Sequence, residues 1–145
     1  MLLSRRSVLA IAAVVDVALH ARPVPVTAKA LASRHRLPPR HLETVLQAMV
    51  RTGILKSLRG PRGGYELARE RRRVSLGDIV RAAQAIPLPK GEDRDSPSDL
   101  TATVIAAAVS EAEELYLNQL DGITVEDLCR RAEHVRMESD PDFTI

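Results

Sequence analysis

Five side chains suited to base edges or phosphates fall in one short stretch: Arg40, His41, Glu43, Thr44 and Gln47. Arginine offers a guanine two donors, glutamine matches adenine, glutamate accepts from cytosine, and threonine bonds to either. They act together only if they share a face. The same stretch places Leu42, Val45, Leu46, Met49 and Val50 at i, i+3, i+4, i+7 and i+8, the apolar stripe of a helix. The polar five then occupy the other side. A second set is Arg59 and Arg62, which bracket Gly60-Pro61 and lead into Gly63-Gly64. Arginines on such a turn suit a phosphate backbone or a minor groove, and the glycine pair lets backbone come close to another surface. Taken singly, each set also fits an ordinary solvated helix face or surface hairpin.

Other chemistry is thin. The histidines His20, His35, His41 and His134 show no metal-ligand spacing. There is no nucleophile–base pair and no pair of carboxylates in an apolar setting, so neither an enzyme nor a metal site is expected. The single cysteine, Cys129, permits no intramolecular disulfide; it is either a small buried hydrophobe or a lone redox thiol. Gly63-Gly64 precedes a strand and no Gly-Lys-Ser/Thr follows, which argues against a nucleotide-phosphate loop. Tyr65, Tyr116 and Phe143 are the only aromatics, too few for a base-stacking platform. Leu, Val, Ile and Ala must build the core, and that favours helices.

The elements that position these residues follow from the pattern. A first helix runs from about Ser4 to His20 and ends at Arg22-Pro23-Val24-Pro25. Thr27 caps a second from Ala28 to about Arg34, and His35-Arg36-Leu37 turns the chain. Pro38-Pro39 opens a third helix, which Gly53 stops. Ile54–Leu58 and Tyr65–Ala68 alternate and pair around the Gly-rich turn. Ser75 and Asp78 form a capping box for a short helix to about Ala85. A polar loop precedes a long helix from Asp99 to about Leu120, and Thr124–Asp127 caps a last short helix. The long helix carries Leu100, Val104, Ala108, Val109 and Leu115, which would stay wet without a partner.

Ser4-Arg5-Arg6-Ser7-Val8-Leu9-Ala10 ahead of an apolar run has the pattern of a twin-arginine export signal. Asp16 interrupts that run, His20 follows it, and no clean cleavage site surrounds Leu19-His20-Ala21. Val8, Ile11, Ala12, Val15, Ala18 and Leu19 instead form one helical face. The segment is read as an amphipathic helix of a cytoplasmic protein. It is too short and too interrupted to span a membrane.

Charge divides along the chain. Residues 1–89 carry 16 Lys+Arg against 5 Asp+Glu, and residues 90–145 carry 5 against 14, so +11 and −9 give the net +2. One part is suited to a polyanion and the other is not.

The order of capped helix, turn, amphipathic helix and Gly-rich hairpin is that of a winged helix-turn-helix. Leu58-Arg59-Gly60-Pro61-Arg62-Gly63-Gly64-Tyr65-Glu66-Leu67 resembles the wing signature of the Rrf-type (IscR-like) bacterial regulators. Leu3-Ser4-Arg5-Arg6, Asp16–His20, Val74–Val80 and Leu120–Leu128 are similar to other segments of that family. The resemblance implies that Arg40, His41 and Glu43 read bases. It implies that Arg59 enters a minor groove, that Ser4 and Arg5 lie near phosphates, and that the long helix crosses a second copy. Many members hold an iron–sulfur cluster on three cysteines between the short and long helices. Residues 85–103 here contain none.

The sequence therefore predicts a mainly α fold with a small β-hairpin wing. Residues 1–86 form the winged helix-turn-helix, 87–98 a flexible loop, 99–136 the dimerisation helix and a short C-terminal helix, and 137–145 a frayed tail. The expected function is a repressor that binds an inverted repeat in double-stranded DNA as a homodimer. The expected DNA contacts are Ser4, Arg5, Thr27, Arg40, His41, Glu43, Thr44, Gln47, Arg59, Arg62, Gly63 and Gly64. No cofactor is expected, and control falls to a regulatory protein, a small ligand or the protein's own abundance. The competing expectation is a winged-helix module that binds protein rather than DNA.

Overall fold

A computed structural model describes residues 2–87 and 100–139. Its elements are α1 (Arg5–His20), α2 (Ala28–His35), α3 (Pro39–Arg51), β1 (Leu55–Leu58), β2 (Gly64–Leu67), a 3₁₀ turn (Arg71–Arg73), α4 (Leu76–Gln84), a π-helical turn (Leu100–Ile105), α5 (Ala106–Asp121) and α6 (Val125–Ser139).

The apolar run that resembled an export signal is the central helix of the core. Ala10, Ala13, Val14 and Val17 of α1 are wholly buried, and α1 packs against α3, α4, α6 and β2. The face expected from Val8, Ile11, Ala12, Val15, Ala18 and Leu19 is therefore not the buried one, since Val8 is exposed and the other five are half-buried. Ser4 starts α1 by accepting from the Ser7 amide at 3.1 Å. Thr27 caps α2 in the same way, from the Ala30 amide at 3.1 Å. Arg36 closes α2 in the left-handed region at φ 53°, an unusual conformation for a residue with a Cβ. In α3, Leu42, Val45, Leu46 and Met49 are buried, as the spacing predicts; Ala48 is buried with them, and Val50 is only half-buried.

The hairpin is antiparallel, with Leu55 opposite Leu67 and Leu58 opposite Gly64. Val26, just before α2, adds a third strand position: its amide donates to Tyr65 O at 3.0 Å, and the Tyr65 amide donates to Val26 O at 2.7 Å. The helix-turn-helix and the wing are thus one hydrogen-bonded unit. Ser75 and Asp78 exchange the two bonds of a capping box at the start of α4 (3.0 and 3.1 Å), and Thr124 and Asp127 repeat it at α6. A bridge between Ser75 and Thr124 ties the two starts together.

Two further features depart from the sequence expectation. The long helix opens in a wide π-turn at Leu100–Ile105 instead of regular α-helix. The last helix continues to Ser139, past the fraying expected from Met137. Cys129 is fully buried among core residues, and burial pushes its thiol above the usual range despite nearby Arg71. That favours the packing role over a redox one, because the reactive form of a thiol is the thiolate. The expected loop, apart from Pro87, and residues 140–145 lie outside the described residues.

Candidate nucleic-acid interface

The buried face of α3 fixes what its other face presents. Arg40, His41, Glu43, Thr44 and Gln47 are all exposed, on the side away from the core. Thr44 donates its hydroxyl to Arg40 O at 3.3 Å, which leaves its oxygen and methyl for a partner. Arg59 and Arg62 are exposed in the wing turn, and neither has a carboxylate within 4 Å among the described residues. Arg5 is exposed at the start of α1.

Other expected contacts have structural work first. Ser4 accepts from the Ser7 amide and donates to Ser7 Oγ, both at 3.1 Å, so its hydroxyl is committed to the cap. Thr27 accepts as a cap but keeps its hydroxyl proton, which remains able to donate to a phosphate. Gly63 and Gly64 do permit a close approach, but to the protein's own backbone. A Cβ on Gly64, at φ 152°, would lie 2.6 Å from Val26 O, and one on Gly63 would strike Leu58 O. The pair closes the hairpin and admits the Val26 bridge. Their small size thus serves the chain's own packing.

Sequence reasoning missed two parts of the site. A groove of about 430 Å³ lies between α3 and the hairpin, lined by Gln47, Val50, Arg51, Ser57 and Tyr65. Arg51 follows Gln47 by one helical turn, a spacing that could have identified it. The second part is Asp16, buried at 5% exposure. Arg34 holds it with two bonds of 2.8 and 2.6 Å, His35 Nε2 lies 2.8 Å from Oδ2, and His20 Nδ1 lies 3.2 Å from Oδ1. Burial raises the Asp16 pKa, but the hydrogen bonds from Arg34 and His35 and the adjacent positive charge outweigh it. The carboxyl is held below its ordinary value. This cluster fastens the helix-turn-helix to α1 and so sets the orientation of α3.

The residues expected at a second copy's surface are all exposed on the long helix, with Val104, Ala108 and Leu115 on one face by helical spacing and Val109 further round. Leu100, Val104, Val109 and Leu115 are 61, 59, 49 and 72% exposed, and Ala108 is exposed beside them. Ile105, 48% exposed, belongs with this set and was not anticipated. Among the described residues no helix is long and apolar enough to cross a membrane, and no cluster of three or more His, Cys, Asp or Glu is placed to hold a metal.

Known proteins share this arrangement. A family model named Rrf2 and described as an iron-dependent transcriptional regulator matches residues 3–131. An HTH-type transcriptional regulator of Synechocystis is 33% identical over 131 residues, covering 88% of this chain and 87% of its own length. Protein rrf2 of Nitratidesulfovibrio vulgaris is 28% identical, covering 81% and 79%. The solved structure of T. potens IscR superposes with a TM-score of 0.70 at 30% identity, over 93% of this chain and 90% of that one. The structure of CymR, the global cysteine regulator of B. subtilis, shares the fold with a TM-score of 0.66 at 24% identity, over 90% and 98%. The donor set does not suit a cluster held on several thiolates, since the chain's one cysteine is buried in α6. With its winged helix-turn-helix and a match over most of its length, the chain belongs to the Rrf2 family of DNA-binding transcription regulators.

Proposed function

We propose that the protein is a cytoplasmic repressor that binds an inverted-repeat operator as a homodimer, without an iron–sulfur cluster. The observation that carries this reading is the exposed face of α3 beside the exposed wing arginines Arg59 and Arg62, which have no carboxylate within 4 Å among the described residues. Arg40, His41 and Glu43 read base edges from the major groove, and Thr44, Gln47 and Thr27 support them. Arg59 reaches a minor groove, while Arg5 and Arg62 contact phosphates. The exposed stripe of Val104, Ala108 and Leu115 packs on the same stripe of a second copy. Two recognition helices then sit roughly 34 Å apart, one turn of DNA.

Selection of binding sites from random DNA tests this directly. The expected product is an inverted repeat, and an asymmetric, unrepeated site would refute the dimeric reading. The cluster-free reading rests on the cysteine count. Protein purified anaerobically should be colourless, whereas sulfur-to-iron charge-transfer absorption would contradict it. If the winged fold served a protein partner instead, DNA affinity would be weak and indifferent to sequence.

A further inference from the structure

A larger recess, about 790 Å³, lies between the end of α1, the hairpin, the 3₁₀ turn and α6. Its size is that of a small-molecule site. Val17, Ala18, Ala21, Leu67 and Ala68 give it an apolar floor. Its lining holds six Lys or Arg side chains against three Glu. Each glutamate already has a cation: Glu66 has Lys56 at 2.8 Å, Glu70 has Arg72 at 2.7 Å, and Glu126 has Arg130 at 3.3 Å. The surplus falls on three arginines. Arg22 and Arg69 have no carboxylate within 4 Å among the described residues, and Arg71 donates to Ala18 O at 2.9 Å with Glu133 only at 3.9 Å.

The recess is not the DNA surface. Lys56 pairs with Glu66, and Ser57 with Tyr65 one position along, so the two pairs face opposite sides of the hairpin. Ser57 and Tyr65 line the groove against α3, whereas Lys56 and Glu66 line this recess. Three surplus cations over an apolar floor match one kind of occupant.

We infer that the recess binds a small organic anion, with a carboxylate or phosphate head held by Arg22, Arg69 and Arg71 and a short apolar body against Ala18, Ala21 and Leu67. The site shares β2 with the wing, so its occupant touches the hairpin that faces DNA. An NMR titration of the full chain with hexanoate, hexyl phosphate, acetate and inorganic phosphate tests this. Saturable shifts are expected at the amides of Ala18, Ala21, Leu67 and Ala68 with at least one hexyl probe, and the tighter of the two identifies the head group. Acetate and inorganic phosphate should bind at least about tenfold more weakly, as should hexyl probes to the Arg22→Gln/Arg69→Gln variant. Both arginines are exposed, so that variant should unfold at the native temperature. Three results would overturn the inference: no saturable shift with either hexyl probe, shifts confined to α3 and the wing turn, or equal binding by the double variant.

Discussion

Helices α3 and α5 are of similar length, 13 and 16 residues, yet they spend their apolar residues differently. The shorter buries five residues against its own chain, and the longer buries one, Leu120. In α3 the large apolar residues face the core, apart from half-buried Val50 at the groove beside the hairpin, so its polar face is displayed in a fixed orientation. In α5 the apolar residues are themselves displayed. One helix is complete within a single chain, and the other makes physical sense only with something packed on it. On the proposed reading, the difference separates two tasks, reading DNA and bringing two readers together.

Charging the α5 stripe should have the largest effect. Leu115→Glu lies at 72% exposure, so it should leave the monomer folded while preventing close helix approach. Operator affinity should then fall by about a thousandfold, because two linked half-site contacts become one. Sedimentation and gel-shift measurements on the same sample check both halves. A variant that remained dimeric and bound normally would place the dimer contact elsewhere.

On the α3 side, the anchor is Asp16. Asp16→Asn keeps the volume but loses the charge-assisted bonds to Arg34, and should cost about 1–3 kcal/mol in chemical denaturation. Because the folded-state pKa of Asp16 is depressed, this stabilisation is present in full above about pH 4 and drains away as the pH falls below it. The stability difference between native protein and variant should therefore narrow in acid.

Gly64→Ala should cost about 1–3 kcal/mol, since a Cβ at that φ meets the Val26 carbonyl. It should also weaken DNA binding, because the bridge that it disturbs ties the wing to α2. The smallest effect should be a gain. Arg36→Gly relieves a left-handed residue in the turn before α3 and should stabilise the fold by about 1 kcal/mol, readable as a raised Tm. A fall in Tm would mean that the Arg36 side chain contributes more than its backbone costs.

Much of this was legible in the sequence because the signals were local. Thr27, Ser75 and Thr124 each marked a helix start through a cap that spans three residues, and the apolar spacing of α3 named most of its buried face. What escaped depended on contacts distant along the chain. Asp16 was read only as an interruption of an apolar run, and nothing local says that Arg34, 18 residues on, neutralises it. Gly63-Gly64 correctly signalled a close approach, but the approaching surface, Val26, becomes visible only when the chain folds. The basic recess likewise gathers arginines from α1's end, the 3₁₀ turn and α6, which no spacing rule connects.

The most direct test of the account is binding of the purified protein to the DNA upstream of its own gene, against a scrambled fragment, over a series of salt concentrations. The account predicts tight, selective binding that weakens steeply with salt. Arg40→Ala should lose selectivity, and Arg59→Ala should lower the salt slope by about one. Equal and weak binding to both fragments, unchanged by either substitution, would contradict it and assign the exposed face of α3 to a protein partner.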